Sequence, residues 1–265
     1  MKWISYLCTG SAALLILTSC FINPHDKNSF DEFHNQSISL LGNLIFYNFN
    51  EDAYTGVSGD IIDSSGAGKN STSVGGLGKA QGIYGFGIRC QGGSGVNLEV
   101  SEFDNAFTER TISVWFVSFD NSATHYIFEE GGTVNGINIY IENGLLYGHT
   151  YKASGGDFQQ WHTYPVDTNT WYHAVITFNT TDGFLLYING EVTGPALSLG
   201  GFSMPGHSNA NGLCYLNDDS RRHNAVQTNA TGQHPLNGIL DELAVWNRTL
   251  SPAEIRNLYL RQGRL

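Results

Sequence analysis

From Asn43 onward the chain alternates apolar and polar residues in short bursts, as in "NLIFYNFN" and "TISVWFVSF", each closed by Gly, Asn, Asp or Ser. A period of two puts successive side chains on opposite faces of a strand, whereas a helix buries a stripe with a period of 3.6. Repeated at sandwich spacing, the pattern predicts an all-β chain of antiparallel strands packed in two layers. The 32 Gly and the 12% aromatic share, set against 14% charged residues, agree with many short strands joined by turns. A length of 265 residues suits one such domain behind a leader.

Turn chemistry sharpens the expectation. "INIYIENGLLYGHTY" predicts a two-residue type I′ hairpin at Asn143-Gly144, and "HAVITFNTTDGFLLYING" a second hairpin around Asp182-Gly183. The stretch "LNGILDELAVWNRTLSPAEIRNLY", Leu236 to Tyr259, reads as a strand leaving an Asn-Gly turn and stopping at a helix. Ser251 as N-cap, Pro252 in the first turn and Glu254 three residues after the cap form a capping box. Leu250, Ile255, Leu258 and Tyr259 give this short C-terminal helix an apolar side with which to close the sandwich edge.

The first 19 residues have the form of a secretory signal: Lys2, an apolar run through Ile16, then small residues before Cys20. "LTSC" resembles a bacterial lipobox, which implies cleavage before Cys20 and lipid on its thiol; an ordinary signal peptidase site is the alternative. Several acyl chains on Cys20 would hold a membrane stably. Residues 20–40 are polar and aperiodic, as a lipidated tether requires, and residues 41–265 form the domain. The expected place is the bacterial envelope, at the outer membrane, the cell surface or the periplasmic face. There Cys90 and Cys214 are compatible with a disulfide and with two buried thiols alike.

A formal charge of -11, from 24 acidic and 13 basic residues with only Arg221-Arg222 as a basic run, would repel a phosphate backbone and excludes nucleic acid as the expected partner. No GxxxxGK[ST], GxSxG or HExxH occurs, and His149, His162 and His173 fall on separate strands or turns.

Five pieces in order resemble the concanavalin A-like, laminin G-type jelly rolls of bacterial surface proteins. They are "LIFYNFNED" with "DSSGAGKNST", "GIYGFGIRCQGGSGVNLEV", "RTISVWFV", "WYHAVITFN" with "LLYINGEV", and the closing strand and helix, together spanning about residues 41–260. The resemblance implies a structural calcium beside the first strand, held by the carboxylate at Asp241 with Asn50 and Asp63 as co-ligands and Glu242 on the opposite face. Calcium prefers hard oxygens and tolerates irregular geometry, which would explain an acid on an apolar strand. Pairing of Asp241 to an Arg or to backbone amides is the metal-free alternative, and an Asx turn is the alternative for Asp63. Glycosidases on this sandwich carry an ExDxxE pattern that the sequence lacks, so no catalytic residue is expected.

The expected activity is therefore binding, of glycans or of host, matrix or envelope proteins, with a purely structural envelope module as the second reading and a hydrolase as the third. The candidate surface is "YGHTYKASGGDFQQWHTYP", where Tyr151, Trp161 and Tyr164 beside Gln160 offer stacking faces and hydrogen bonds. Strand alternation sends Gln160 and Tyr164 to one face and Trp161 to the other. Ordinary core aromatics are the alternative. The long irregular segment from Asn217 to Gly238 is a second candidate, as a functional loop or a variable insertion.

Overall fold

The computed structural model describes residues 43–132, 134–152, 158–207, 211–214 and 234–262. The leader, Cys20 and the tether lie outside the described residues, as do positions 217–233 of the long segment. Numbered along the chain, strands β1 (Ile45–Tyr47), β2 (Thr72–Val74), β3 (Gly78–Gln81), β4 (Phe86–Cys90) and β5 (Gly95–Asn97) are short. A 3₁₀ turn, Ser101–Asp104, precedes the long strands β6 (Glu109–Ser118), β7 (His125–Gly131), β8 (Asn135–Glu142), β9 (Leu145–Lys152), β10 (Phe158–Pro165), β11 (Trp171–Asn179) and β12 (Gly183–Ile188). Then come β13 (Glu191–Val192), β14 (Gly212–Leu213), β15 (Gly238–Trp246) and helix α1 (Pro252–Gln262).

Two antiparallel sheets form a sandwich. The first runs β13-β12-β11-β6-β15-β4-β3, with β1 also on β15; the second runs β10-β9-β8-β7-β14-β5-β2. Alternation does what the sequence predicts: Ile112, Val114 and Phe116 of β6 and Ile137, Ile139 and Ile141 of β8 enter one core between the sheets. Each such side chain removed from water contributes about 1.5–3 kcal/mol. Cys90 at the end of β4 and Cys214 just after β14 are joined across the sheets by a disulfide, Cα to Cα 5.8 Å. Closing a loop of 124 residues restricts the unfolded chain by about 4–5 kcal/mol in the chain-entropy model.

The β8–β9 hairpin turns at Asn143-Gly144 with φ of 52° and 78°, the type I′ geometry that the dipeptide favours. The β11–β12 hairpin turns over residues 180–182, with Asn179 Oδ1 accepting from the Thr181 and Asp182 N–H groups at 2.8 and 3.0 Å. A further hairpin, unforeseen, turns at Asn189-Gly190. The Asn237-Gly238 dipeptide is no hairpin turn: Gly238 opens β15, where a Cβ would strike the Val117 carbonyl oxygen. Glycine is there for close strand approach.

The capping box forms as expected, Ser251 N–H donating to Glu254 Oε2 at 2.8 Å and Glu254 N–H to Ser251 Oγ at 3.3 Å. Helix α1 reaches the edge strand β13, where Arg256 pairs with Glu191, but its apolar side covers a sheet face. Leu250, Ile255 and Leu258 pack on Phe46, Val175, Ala244 and Trp246, the outward residues of the first sheet. Tyr259 stacks on Trp115 at 5.7 Å, and Trp115 on His173 at 5.1 Å. Five outward strand residues are apolar or aromatic, and one amphipathic helix seals them from water.

Candidate functional site

Asp241 is fully buried on β15. Its carboxylate accepts from the Tyr84 N–H at 2.9 Å and from its own neighbour Glu242 N–H at 2.9 Å. The β6 register breaks between Asp241 and Ala244, and Glu242 has φ of 52°, so a bulge sits there. Leu240 and Leu243, three apart, both enter the inter-sheet core, so simple alternation does not assign Glu242 to the face opposite Asp241. The β3–β4 turn wraps this carboxylate closely: a Cβ on Gly82 would collide with Asp241 Oδ2, and one on Gly85 with Asn50 Oδ1. Asn50 Oδ1 in turn accepts from the Phe86 N–H at 2.9 Å. Asp241 and Asn50 thus both contact the β3–β4 turn.

A second carboxylate that the sequence reading passed over joins them. Glu51 accepts from the Ile62 N–H at 2.9 Å and from the Tyr54 hydroxyl at 3.2 Å. Burial raises the pKa of both carboxyls above the usual carboxylate range, Asp241 far above it, and the Glu51 charge pushes Asp241 further up. The Tyr54 hydroxyl is raised by burial and then by the Glu51 carboxylate. Two like charges with upward shifts form the environment that a bound cation relieves. Among the described residues no three His, Cys, Asp or Glu side chains gather as a metal site, so an ion here would draw on the Asn50 amide and main-chain oxygens as well. For a hard, irregularly coordinated cation the set fits.

Asp63 has another task. Its Oδ1 accepts from the Phe46 and Ser65 N–H groups at 3.1 and 3.0 Å and its Oδ2 from the Lys69 N–H at 3.0 Å. These are the bonds of an Asx turn that ties residues 63–69 to β1.

The aromatic candidates divide between faces. Tyr164 packs against the inter-sheet core, and Gln160 donates to the Ser198 carbonyl at 3.2 Å. Tyr151 is fully buried on the outward face of the second sheet, its hydroxyl donating to the Gly132 carbonyl at 2.5 Å. Trp161 is half-buried on that same face, packed on the Tyr126, Tyr140 and Tyr147 cluster. His149 links the two, stacked on Tyr151 at 5.1 Å and edge-on to Trp161 at 6.4 Å, with Asn138 and Gln159 oxygens 3.2 Å from its ring nitrogens. Tyr151 and Trp161 therefore share a face; Tyr164 and Gln160 do not join them. His149, His162 and His173 occupy three different surroundings, the last buried under α1 beside Ser113 Oγ at 2.8 Å and held down to about 3 by burial.

One more charged group was missed. Arg110 and Glu130, each 1% exposed, face each other between the sheets at 2.7 Å. Arg110 also donates to Asn247 Oδ1 and lies over the Phe107 ring at 4.2 Å. Burial lifts the Glu130 carboxyl to about 7 against the pull of Arg110.

A model described as the concanavalin A-like lectin/glucanases superfamily matches residues 91–256. The chain belongs to that superfamily. The match covers β5 through the first turn of α1, while the opening strand and its acidic turn lie before it. No curated protein matches. Among solved structures, this superfamily member is similar to the binding domain of botulinum neurotoxin serotype D, at TM-score 0.62 and 16% identity over 86% of this chain and 52% of that one. The serotype D ligand binding domain in complex with N-acetylneuraminic acid gives 0.60 and 18% over 86% and 52%. Domain 4 of AbnA, an extracellular GH43 arabinanase from Geobacillus stearothermophilus, in complex with arabinotriose, gives 0.57 and 18% over 81% and 97%. The chain thus spans about half of the botulinum domains and nearly all of the arabinanase domain. At these identities the likeness establishes the fold.

Proposed function

We propose that this superfamily member is a non-catalytic module that binds carbohydrate, held at a bacterial envelope by lipid on Cys20. The superfamily is described by both lectins and glucanases, and the state of the carboxylates favours the first. Glycoside hydrolysis needs two carboxyls across an open groove, one of them protonated near neutral pH. The carboxyls raised furthest here, Asp241 and Glu130, are sealed from solvent at 0% and 1% exposure. Glu102, which reaches the surface, is held low by Lys69 at 2.6 Å. Two neighbours in fold carry N-acetylneuraminic acid and arabinotriose, which supports a saccharide ligand; another was solved in complex with rat synaptotagmin II, which keeps a protein partner as the second reading.

A structural calcium is part of the proposal, with Asp241, Glu51 and Asn50 as its side-chain ligands. It would neutralise the buried Asp241 and the half-buried Glu51 carboxylates and pin the segment after β1 to β15 and the β3–β4 turn. The disulfide supports export to an oxidising compartment.

The test is saturable binding of the purified mature chain to arrays of glycans and matrix proteins, with mass analysis of recovered saccharides. Binding with unchanged saccharides is expected. Shortened products would replace the reading with a hydrolase, and silent glycan arrays with one constant cross-linked protein would favour the protein partner. Labelling of the cells' lipoproteins with a fatty-acid analogue should mark the chain and fail with Cys20→Ser.

A further inference from the structure

Between the 3₁₀ turn and the start of β6 the surface opens into a cleft of about 270 Å³, lined by Asn105, Phe107, Thr108, Glu109, Arg110 and Asn247 among others. We propose that this cleft is the saccharide site, taking the terminal unit of a neutral glycan; the assignment rests on the carbohydrate reading above. Its polar groups are set by partners within the chain. The Arg110 guanidinium engages Asn247 Oδ1, so that the amide oxygen is occupied on an exposed residue of the lining whose NH2 group remains a donor. Glu109, on the lining, is held by the Thr249 N–H, which donates to its Oε2 at 2.9 Å. Thr108 and Asn105 are exposed on the rim and carry both donors and acceptors.

Alternating donors and acceptors beside an aromatic edge match vicinal hydroxyls on a ring with apolar C–H faces. An anionic ligand would meet Glu109 and Glu102, both on the lining, with Arg110 already neutralised by Glu130 at 2.7 Å. A purely apolar ligand would strand the amides without partners. The volume lies just below the range of about 300–1,000 Å³ for drug-sized sites, enough for the end of a chain rather than its length. The Arg110–Glu130 pair thereby acquires a role: it fixes the floor, so the donors are ordered before the ligand arrives.

The experiment uses an array of neutral oligosaccharides that includes arabinotriose, with N-acetylneuraminic acid as the charged probe. It compares the mature chain with Thr108→Trp and Asn105→Trp, which fill the cleft from exposed positions, and with Trp161→Ala on the second sheet. Unfolding midpoints confirm that each variant is folded. At least a tenfold loss of affinity in both filling variants, with Trp161→Ala unchanged and neutral sugars preferred, is expected. Undiminished binding in the filling variants overturns the cleft while leaving the carbohydrate reading intact. A wild-type chain that binds no member of the array removes both.

Discussion

Two places in the sandwich bury charge, and they balance it differently. Where β6 begins, Arg110 and Glu130 neutralise each other across the sheets, and the guanidinium completes its contacts with Asn247 and the Phe107 ring. Around the β15 bulge, Asp241 and Glu51 are two acids of like sign, held by main-chain N–H groups and, for Glu51, by the Tyr54 hydroxyl. The first site balances its charge within the chain, although Arg110 Nε and Glu130 Oε2 are buried without a hydrogen bond. The second lacks a counter-charge of its own, which is why the proposed calcium is placed there and not at the ion pair.

The comparison breaks most visibly at the pair. Arg110→Met leaves Glu130 buried without its counter-charge and is expected to cost about 3–5 kcal/mol in urea unfolding at pH 8, while Arg110→Met with Glu130→Met recovers most of it. A single variant that loses under about 1 kcal/mol would show that the pair does not balance charge.

At the carboxylate site the change comes from outside. Calcium at a hundred times its Kd is expected to stabilise the chain by about 2.7 kcal/mol in calorimetry, an increment that Asp241→Asn removes and Asp63→Asn keeps. In the metal-free chain Asp241 has a raised folded value, so the stability it lends is present below its ordinary value and lost as pH rises. The calcium increment should therefore grow with pH, and a flat profile would count against the site.

Histidine gives the opposite sign and sharpens the contrast. His173 is kept neutral by burial at about 3, so its contribution is present above about 6.5 and lost as pH falls through 3. At pH 5 the loss is about 2 kcal/mol, which His173→Phe should remove from the acid limb of the stability profile. Glu130, raised to about 7, runs the other way, losing its contribution as pH rises from about 4.5 through 7. As a control on both sites, Ser251→Ala should cost about 1 kcal/mol through the lost cap and leave the calcium increment and the ion-pair coupling unchanged.

Much of the fold was legible because it is local. Period-two bursts gave the strands, Asn143-Gly144 its hairpin, and Ser251 with Glu254 the capped helix. The Asn237-Gly238 turn failed because a glycine needed for close strand approach looks the same in sequence as one needed for positive φ. In the site, Asp241 over Asn50 was legible from an acid on an apolar strand and the family resemblance. Glu51 was missed although it directly follows Asn50, since a carboxylate in a loop reads as solvated until its burial is known. Arg110 and Glu130 were missed for a related reason: they lie 20 residues apart on different sheets, and no local pattern couples them. The aromatic strip separated as alternation required, because the adjacent residues Gln160 and Trp161 of β10 point to opposite faces of the sheet.

By itself the sequence determined strand content, the β8–β9 and β11–β12 turns, the terminal helix and the superfamily, all of which follow from short-range sterics and from hydrophobic periodicity. Only the tertiary structure decided that Cys90 reaches Cys214, that α1 covers a sheet face, that Tyr151 and Trp161 meet through His149, and that one buried charge has an opposite and another has its like. Pairings between distant strands depend on register and on the bulge at Asp241, and a one-residue change in either moves a side chain to the other face of the sheet.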